Sequence, residues 1–257
     1  MWWDRSELTE AYLSPRCIGI VNRSAGAPAW IETQGVEDGL DRLAQALRQE
    51  PLRSSGRLRI WLGAALARPV ILSATSGARN REEAKQLATM LAPDATGFDE
   101  PVRVWANAWR INRSGLAVAM PQRLWSALSN FVEDERNDRR RLREKDAARS
   151  LELVSVRPWW NHTIDAVIAD SARDASRIGW SLVQDGGVVH GIVDEGQPIE
   201  AGFDLLGSHD VDGSLLRRRL QVNWDKVAEA RHLEFARDGG TTPTALGGWR
   251  QSSGSRV

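Results

Sequence analysis

The chain of 257 residues is long enough to bury a substantial core in one large domain or two small ones, and its 42% apolar and 26% charged residues exclude disorder throughout. Acidic and basic residues balance at 34 each, so total charge supplies no field that would steer polyanions or acidic membranes. A single cysteine, Cys17, excludes an internal disulfide, and no run approaches the roughly 18 apolar residues of a membrane span.

The opening "MWWDRSELTEAYLSPR" lacks a basic-then-apolar signal pattern, so a reducing cytoplasm is the expected compartment. The sequons at Asn22, Asn112 and Asn161 then carry no glycan. "CIGIVNRS" (17–24) and "PAWIETQ" (28–34) read as strands paired through a turn. Val36, Leu40, Leu43, Ala44 and Leu47 recur at helical spacing and stop before Pro51. "RLRIWLG" (57–63) and "RPVILSA" (68–74) are the next strands, followed by a helix through Ala84, Leu87, Ala88 and Leu91 that is expected to end before Pro93.

"VRVWANAW" (102–109) and "GLAVAM" (115–120) read as strands, and Leu124, Trp125, Leu128, Phe131 and Val132 mark one face of a helix. Residues 133–149 are almost wholly charged with mixed sign, which suits an exposed helical extension or linker. Arg139 to Arg143 within it lacks the aromatic neighbours of a single-strand nucleic-acid site, so no nucleic-acid partner is expected. "LELVSVRPWWNHTID" (151–165) then runs as a strand into Pro158, where a helix with Trp160, Ile164, Val167 and Ile168 begins. Adjacent tryptophans on a helix cannot both face inward, so one of Trp159 and Trp160 is expected at a seam or against a partner.

"RIGWSLVQDGGVVHGIVDEG" contains Asp185-Gly186-Gly187, a strong hairpin signal, and a further strand is expected between Pro198 and Leu206. Leu215 to Ala228 reads as helix or mixed structure. From Asp238 the Gly, Thr, Ser and Pro content reads as a flexible tail. The organisation is thus an N-terminal segment (1–16), a first half (17–132), the charged extension (133–149), a second half (150–237) and the tail (238–257). Both halves carry a strand hairpin and strands joined by helices.

Motifs for chemistry are sparse. No phosphate loop or dinucleotide fingerprint is present, and "GWSLV" (179–183) lacks the closing glycine of a nucleophile elbow. His162, His190, His209 and His232 form no pair at metal-ligand spacing, and "SHDVDG", with His209, Asp210 and Asp212, lacks the later glutamate of a calcium loop. No catalytic residue and no metal site is therefore nominated. Among the 12 tryptophans, Trp2, Trp3 and Trp249 lie in terminal segments. Trp2 and Trp3, with Trp159 at the seam, are the candidates for partner contact.

The order of "RLRIWLGAALARPVILSA", "GLAVAMPQRLWSAL", "LELVSVRPWW" and "WSLVQDGG" resembles the actin-like cytoplasmic domains of type II secretion L components and type IV pilus M components. The resemblance implies a mixed α/β fold of two ribonuclease-H-like halves, the second complete or truncated, with two hairpins that grip nucleotide phosphates in active members. It places the first phosphate turn at Asn22, Arg23 and Ser24, where an amide and a bulky side chain replace the family's Asp-x-Gly. It places the second at Asp185, Gly186 and Gly187, with only a weak adenosine counterpart in Gly247-Gly248.

The function that this resemblance implies is that of a non-catalytic cytoplasmic scaffold, peripheral to the inner membrane, that docks an envelope-anchored secretion or pilus protein and requires no cofactor. The competing expectation is an ATP-binding ATPase or kinase-like enzyme with magnesium held by Asp185 and Asp194.

Overall fold

The computed structural model describes residues 8–22, 28–49, 56–106, 109–143, 151–174, 176–206, 227, 229–237, 241–244 and 246–251. In chain order the elements of the first part are β1 (Leu8–Leu13), β2 (Cys17–Asn22), β3 (Ala29–Glu32), α1 (Val36–Leu47), β4 (Arg57–Leu62), β5 (Arg68–Leu72), α2 (Arg81–Thr96), β6 (Val102–Trp105), β7 (Gly115–Pro121) and α3 (Gln122–Arg143). The second part has β8 (Glu152–Pro158), α4 (Asn161–Asp174), β9 (Arg177–Gln184), β10 (Gly187–Asp194), β11 (Gln197–Leu205), β12 (Glu229–Ala236), β13 (Thr241–Thr244) and β14 (Gly247–Gln251).

Two large sheets open with the same topology. In the order β3-β2-β1-β4-β8, an antiparallel meander is followed by β4 parallel to β1 and β8 parallel to β4. In the order β11-β10-β9-β12-β14-β13, another meander is followed by β12 parallel to β9, with an antiparallel hairpin beyond it. A small antiparallel sheet, β5-β7-β6, is covered by α2. Its alanines Ala84, Ala88, Ala92, Ala117 and Ala119 are all fully buried, so the helix can approach the sheet closely.

Among the described residues, three large cores hold these layers. One face of the first sheet (Ala11, Leu13, Leu58, Ile60) packs under α1 and α3 through Leu40, Leu43, Leu124 and Leu128. The opposite face (Tyr12, Trp61) shares a second core with Trp159, Trp160, Ile164, Trp180, Leu182 and Leu233, so apolar burial is continuous between the two large sheets. The α2 layer is the third.

Several sequence expectations change. The N-terminal segment contains β1, a central strand of the first sheet, because Thr9 and Glu10 are buried inside it and hide its alternation. Glu10 is paid for by the indole N–H of Trp61 at 3.0 Å and by Arg59 at 3.5 Å. The α2 helix passes Pro93 and ends at Gly97, whose positive φ of 65° closes the C-terminus through an N–H to the Pro93 carbonyl at 2.8 Å. Pro93 and the residue four before it, Thr89, whose carbonyl the proline cannot serve as donor, are both exposed residues.

Of the two readings of the charged run, helical extension or linker, the first describes residues 133–143, which continue α3 and are anchored where Arg48 of the α1 C-cap meets buried Glu135 at 2.7 Å and Asp138 at 3.0 Å. The tail expected to be flexible supplies β13 and β14, which pair beside β12 in the register Phe235↔Trp249. Trp159 and Trp160 are both fully buried in the core shared by the two large sheets, which corrects the expectation that only one of them points inward and leaves both at the seam. They form the turn ahead of α4 rather than its first helical residues, so helical geometry does not force them apart. The Trp159 N–H donates to the Leu62 carbonyl at 2.9 Å, and the Trp160 indole donates to the Ala67 carbonyl at 2.7 Å.

Candidate functional site

The matching hairpins of the two large sheets, β1–β2 and β9–β10, meet at their turns. Ser14, Pro15 and Arg16 make the first turn. Its Ser14 N–H reaches the Cys17 carbonyl at 3.0 Å, and the N–H groups of Thr33 and Gly35 fix the Arg16 and Pro15 carbonyls at 2.9 and 3.0 Å. Asp185 and Gly186 make the second, with φ of 46° and 82°, the left-handed pair that a two-residue hairpin demands. Gln184, just before it, accepts the Ala64 N–H at 3.1 Å and ties this hairpin to the loop after β4.

The Asp185 side chain is only 8% exposed and lies among first-half residues. The Tyr12 hydroxyl donates to its Oδ2, and Arg237 Nη2 donates to its Oδ1 at 3.3 Å. The same Arg237 nitrogen is 3.1 Å from the Cys17 sulfur, while its other terminal nitrogen meets Glu32 at 3.3 Å and the guanidinium lies 5.0 Å from the Trp30 ring centroid. Arg16 covers Gly186 so closely that a Cβ built there would stand 2.8 Å from the guanidinium carbon. Tyr12, Trp30 and Phe235 pack ring on ring behind the cluster, with Tyr12 stacked on Phe235 at 5.0 Å.

Burial and the Asp185 charge push the Tyr12 hydroxyl well above its ordinary range, and the same two causes push the Cys17 thiol up to about 11. Burial pulls the Arg237 guanidinium down, but Cys17, Asp185 and Glu32 more than offset it and its affinity for the proton rises.

Asp185, Gly186 and Gly187, nominated for a phosphate turn, lie where the two hairpins meet. Asn22 does not: it ends β2 opposite Thr9, five residues from Cys17 and so roughly 16 Å along the strand from the turn. With β1 unread, the sequence reading placed the first turn one strand too late. Ser24, Trp2 and Trp3 lie outside the described residues, as do His209, Asp210 and Asp212. Asp185 and Asp194 stand at opposite ends of β10 and cannot share a magnesium ion. Gly247 and Gly248 open β14, with Gly248 opposite Ala236.

The residues the sequence reading missed are Tyr12, Ser14, Arg16 and Arg237. One signal was available: the chain's one tyrosine and one cysteine flank a Leu-Ser-Pro-Arg turn.

A groove of about 890 Å³ opens elsewhere, along β8. Among the described residues β8 pairs with β4 alone, so its outer edge borders this space. Trp105 and Trp125 form part of the wall, Arg110, Arg113 and Arg157 are exposed along it, and the buried Ser155 hydroxyl has no hydrogen-bond partner among the described residues. Burial raises the Asp165 carboxyl above its usual range, partly opposed by Arg157. The Ser114 N–H, donating to Gln197 at 3.3 Å, crosses one wall.

No protein-family model and no curated protein matches the chain. Solved structures do. A Bacteroides thetaiotaomicron protein of unknown function with an actin-like ATPase fold superposes with a TM-score of 0.55 at 13% identity, over 93% of this chain and 84% of that one. The fold is actin-like. The PilM–PilN type IV pilus biogenesis complex matches this actin-like domain with a TM-score of 0.50 at 11% identity, over 84% of this chain and 66% of that one. The cytoplasmic domain of EpsL, an inner-membrane component of the Vibrio cholerae type II secretion system, gives 0.49 at 12% identity, over 88% and 82%. No helix among the described residues is long and apolar enough to cross a membrane.

Proposed function

We propose that this actin-like domain is a non-catalytic cytoplasmic scaffold that docks an envelope-anchored protein of a type IV pilus or type II secretion machine. The observation that carries the reading is the junction itself. The space between the two hairpin turns, where actin-like enzymes hold nucleotide phosphates, is filled by Tyr12, Arg16, Asp185 and Arg237 of the chain. Asp185, the carboxylate a magnesium ion would need, is engaged by a phenol and a guanidinium.

The β8 groove supplies the docking surface. A strand edge unpaired among the described residues offers main-chain hydrogen bonds to an extended segment, apolar walls take its side chains, and the three arginines favour acidic flanks. A solved neighbour that occurs in a pilus biogenesis complex supports a protein partner of that kind.

Two measurements test this. Calorimetric titration of the intact chain with magnesium ATP is expected to give no saturable heat. Saturable binding that disappears in Asp185→Ala would overturn the non-catalytic reading in favour of an ATP-binding enzyme. Co-purification from the native host is expected to yield an inner-membrane pilus or secretion protein, lost when Arg110, Arg113 and Arg157 are reversed to glutamate. An envelope protein retained undiminished by that variant would exclude the groove.

A further inference from the structure

The junction holds a carboxylate in a site built as if for a ligand. Tyr12 is fully buried and directs its hydroxyl at one oxygen of Asp185, and Arg237 addresses the other at 3.3 Å. The Cys17 sulfur stands 3.9 Å from both oxygens. Two arginines crowd the same point, since Arg16 lies over Gly186. The groups that surround the carboxylate come from β1, the β1–β2 turn, β2 and the end of β12, whereas the carboxylate comes from the β9–β10 turn. A buried charge is tolerated only with such donors in place.

We propose that this is an anion-binding site whose resident ligand is the chain's own Asp185, which bridges the two hairpins as a free carboxylate or phosphate oxygen would. The turn is shaped for that delivery. Asp185 has a left-handed φ of 46°, and Gly186, at φ 82°, is the residue that leaves room for Arg16. The tether makes the ligand effectively always present, because an intramolecular partner competes at a high local concentration. The halves are thereby joined without a soluble effector. This role deepens the scaffold reading of the same cleft and rests on it for its biological sense, but the site can fail its own test while the scaffold stands, because neither nucleotide nor partner enters the measurement.

The test uses the full chain with Asp185→Gly, which removes the carboxylate and leaves a residue that adopts the turn without strain. The probe is sodium acetate, compared with sodium chloride at equal ionic strength. The variant is expected to melt lower than wild type and to regain stability with acetate in a saturable way, while wild type does not respond. A second readout is the reaction of Cys17, the chain's single cysteine, with a thiol reagent. Loss of the neighbouring carboxylate is expected to speed it by about tenfold or more, the scale set by losing a charged hydrogen bond, and acetate should slow it again. Adding Arg237→Ala should abolish the acetate effect.

Equal acetate shifts in variant and wild type, or none in either, would overturn the site. Should the glycine variant fail to fold, Asp185→Asn keeps a residue that tolerates the left-handed region. Its Cys17 rate alone then decides: faster than wild type supports the site, and an unchanged rate refutes it.

Discussion

Replacing Tyr12 by phenylalanine isolates one hydrogen bond in the junction. The ring is fully buried, stacked on Phe235 at 5.0 Å and edge-on to Trp30 at 5.6 Å, and phenylalanine keeps all of that packing. What is lost is the hydroxyl donated to an ionised carboxylate that is 8% exposed and retains Arg237. Hydrogen bonds to charged groups contribute about 1.5–3 kcal/mol, so urea denaturation should show a loss of that size. In a chain of this length that corresponds to about 3–12 °C in melting temperature.

The same variant has a pH signature. The Tyr12 hydroxyl is raised in the folded state, so its contribution is complete below its unfolded value near pH 10 and is lost as pH rises through the folded value. The Cys17 thiol, at about 11, acts in the same direction. Wild type should therefore destabilise steeply above about pH 9, and the variant less so. With one tyrosine in the chain, phenolate absorbance reads this residue alone. A stability change below about 0.5 kcal/mol, the usual scatter of neutral surface substitutions, would refute the reasoning. So would a folded-state phenolate that titrates near 10.

His162 should govern the acid side. Its ring lies 4.5 Å from that of Trp61, its Nε2 is buried with no hydrogen-bond partner among the described residues, and burial first, with Arg157, lowers its affinity for the proton. A base held below its unfolded value near 6.5 costs stability as pH falls past that value, because the unfolded chain binds the proton first. Urea midpoints at pH 7.5 and 5.5 should converge in His162→Phe relative to wild type, and an unchanged gap would exclude the histidine. Arg68 fixes the small sheet to the second half through its guanidinium, stacked 4.0 Å from Phe98 and 4.2 Å from Phe203, with a hydrogen bond to the Thr96 carbonyl. Arg68→Lys should cost about 1–2 kcal/mol by loss of planar stacking on two rings, and a neutral result in thermal unfolding would contradict that geometry.

The sequence announced most of the framework because its strands and helices carry their own periodicity. The β9–β10 hairpin was legible from Asp185-Gly186, whose chemistry fixes the turn, and the first-core helices from their leucine spacing. β1 was not legible. A strand buried on both faces shows no alternation, and its Glu10 is made tolerable by Trp61 and Arg59, which arrive from a strand about fifty residues away. The β13–β14 hairpin was likewise hidden, since its glycines and threonines pair under the direction of β12.

Local chemistry alone thus determined where the chain turns, which segments are amphipathic, and that no familiar catalytic motif is present. Tertiary structure decided which turn faces which. Tyr12, Arg16, Asp185 and Arg237 are separated by up to 225 residues of sequence, yet their meaning lies in a contact of a few ångströms. A carboxylate in a hairpin reads the same whether it awaits a metal ion or is already held by a phenol and a guanidinium. Only the docking of one sheet against the other distinguishes the two, because electrostatic and hydrogen-bond energies depend on distance in space and not on distance along the chain.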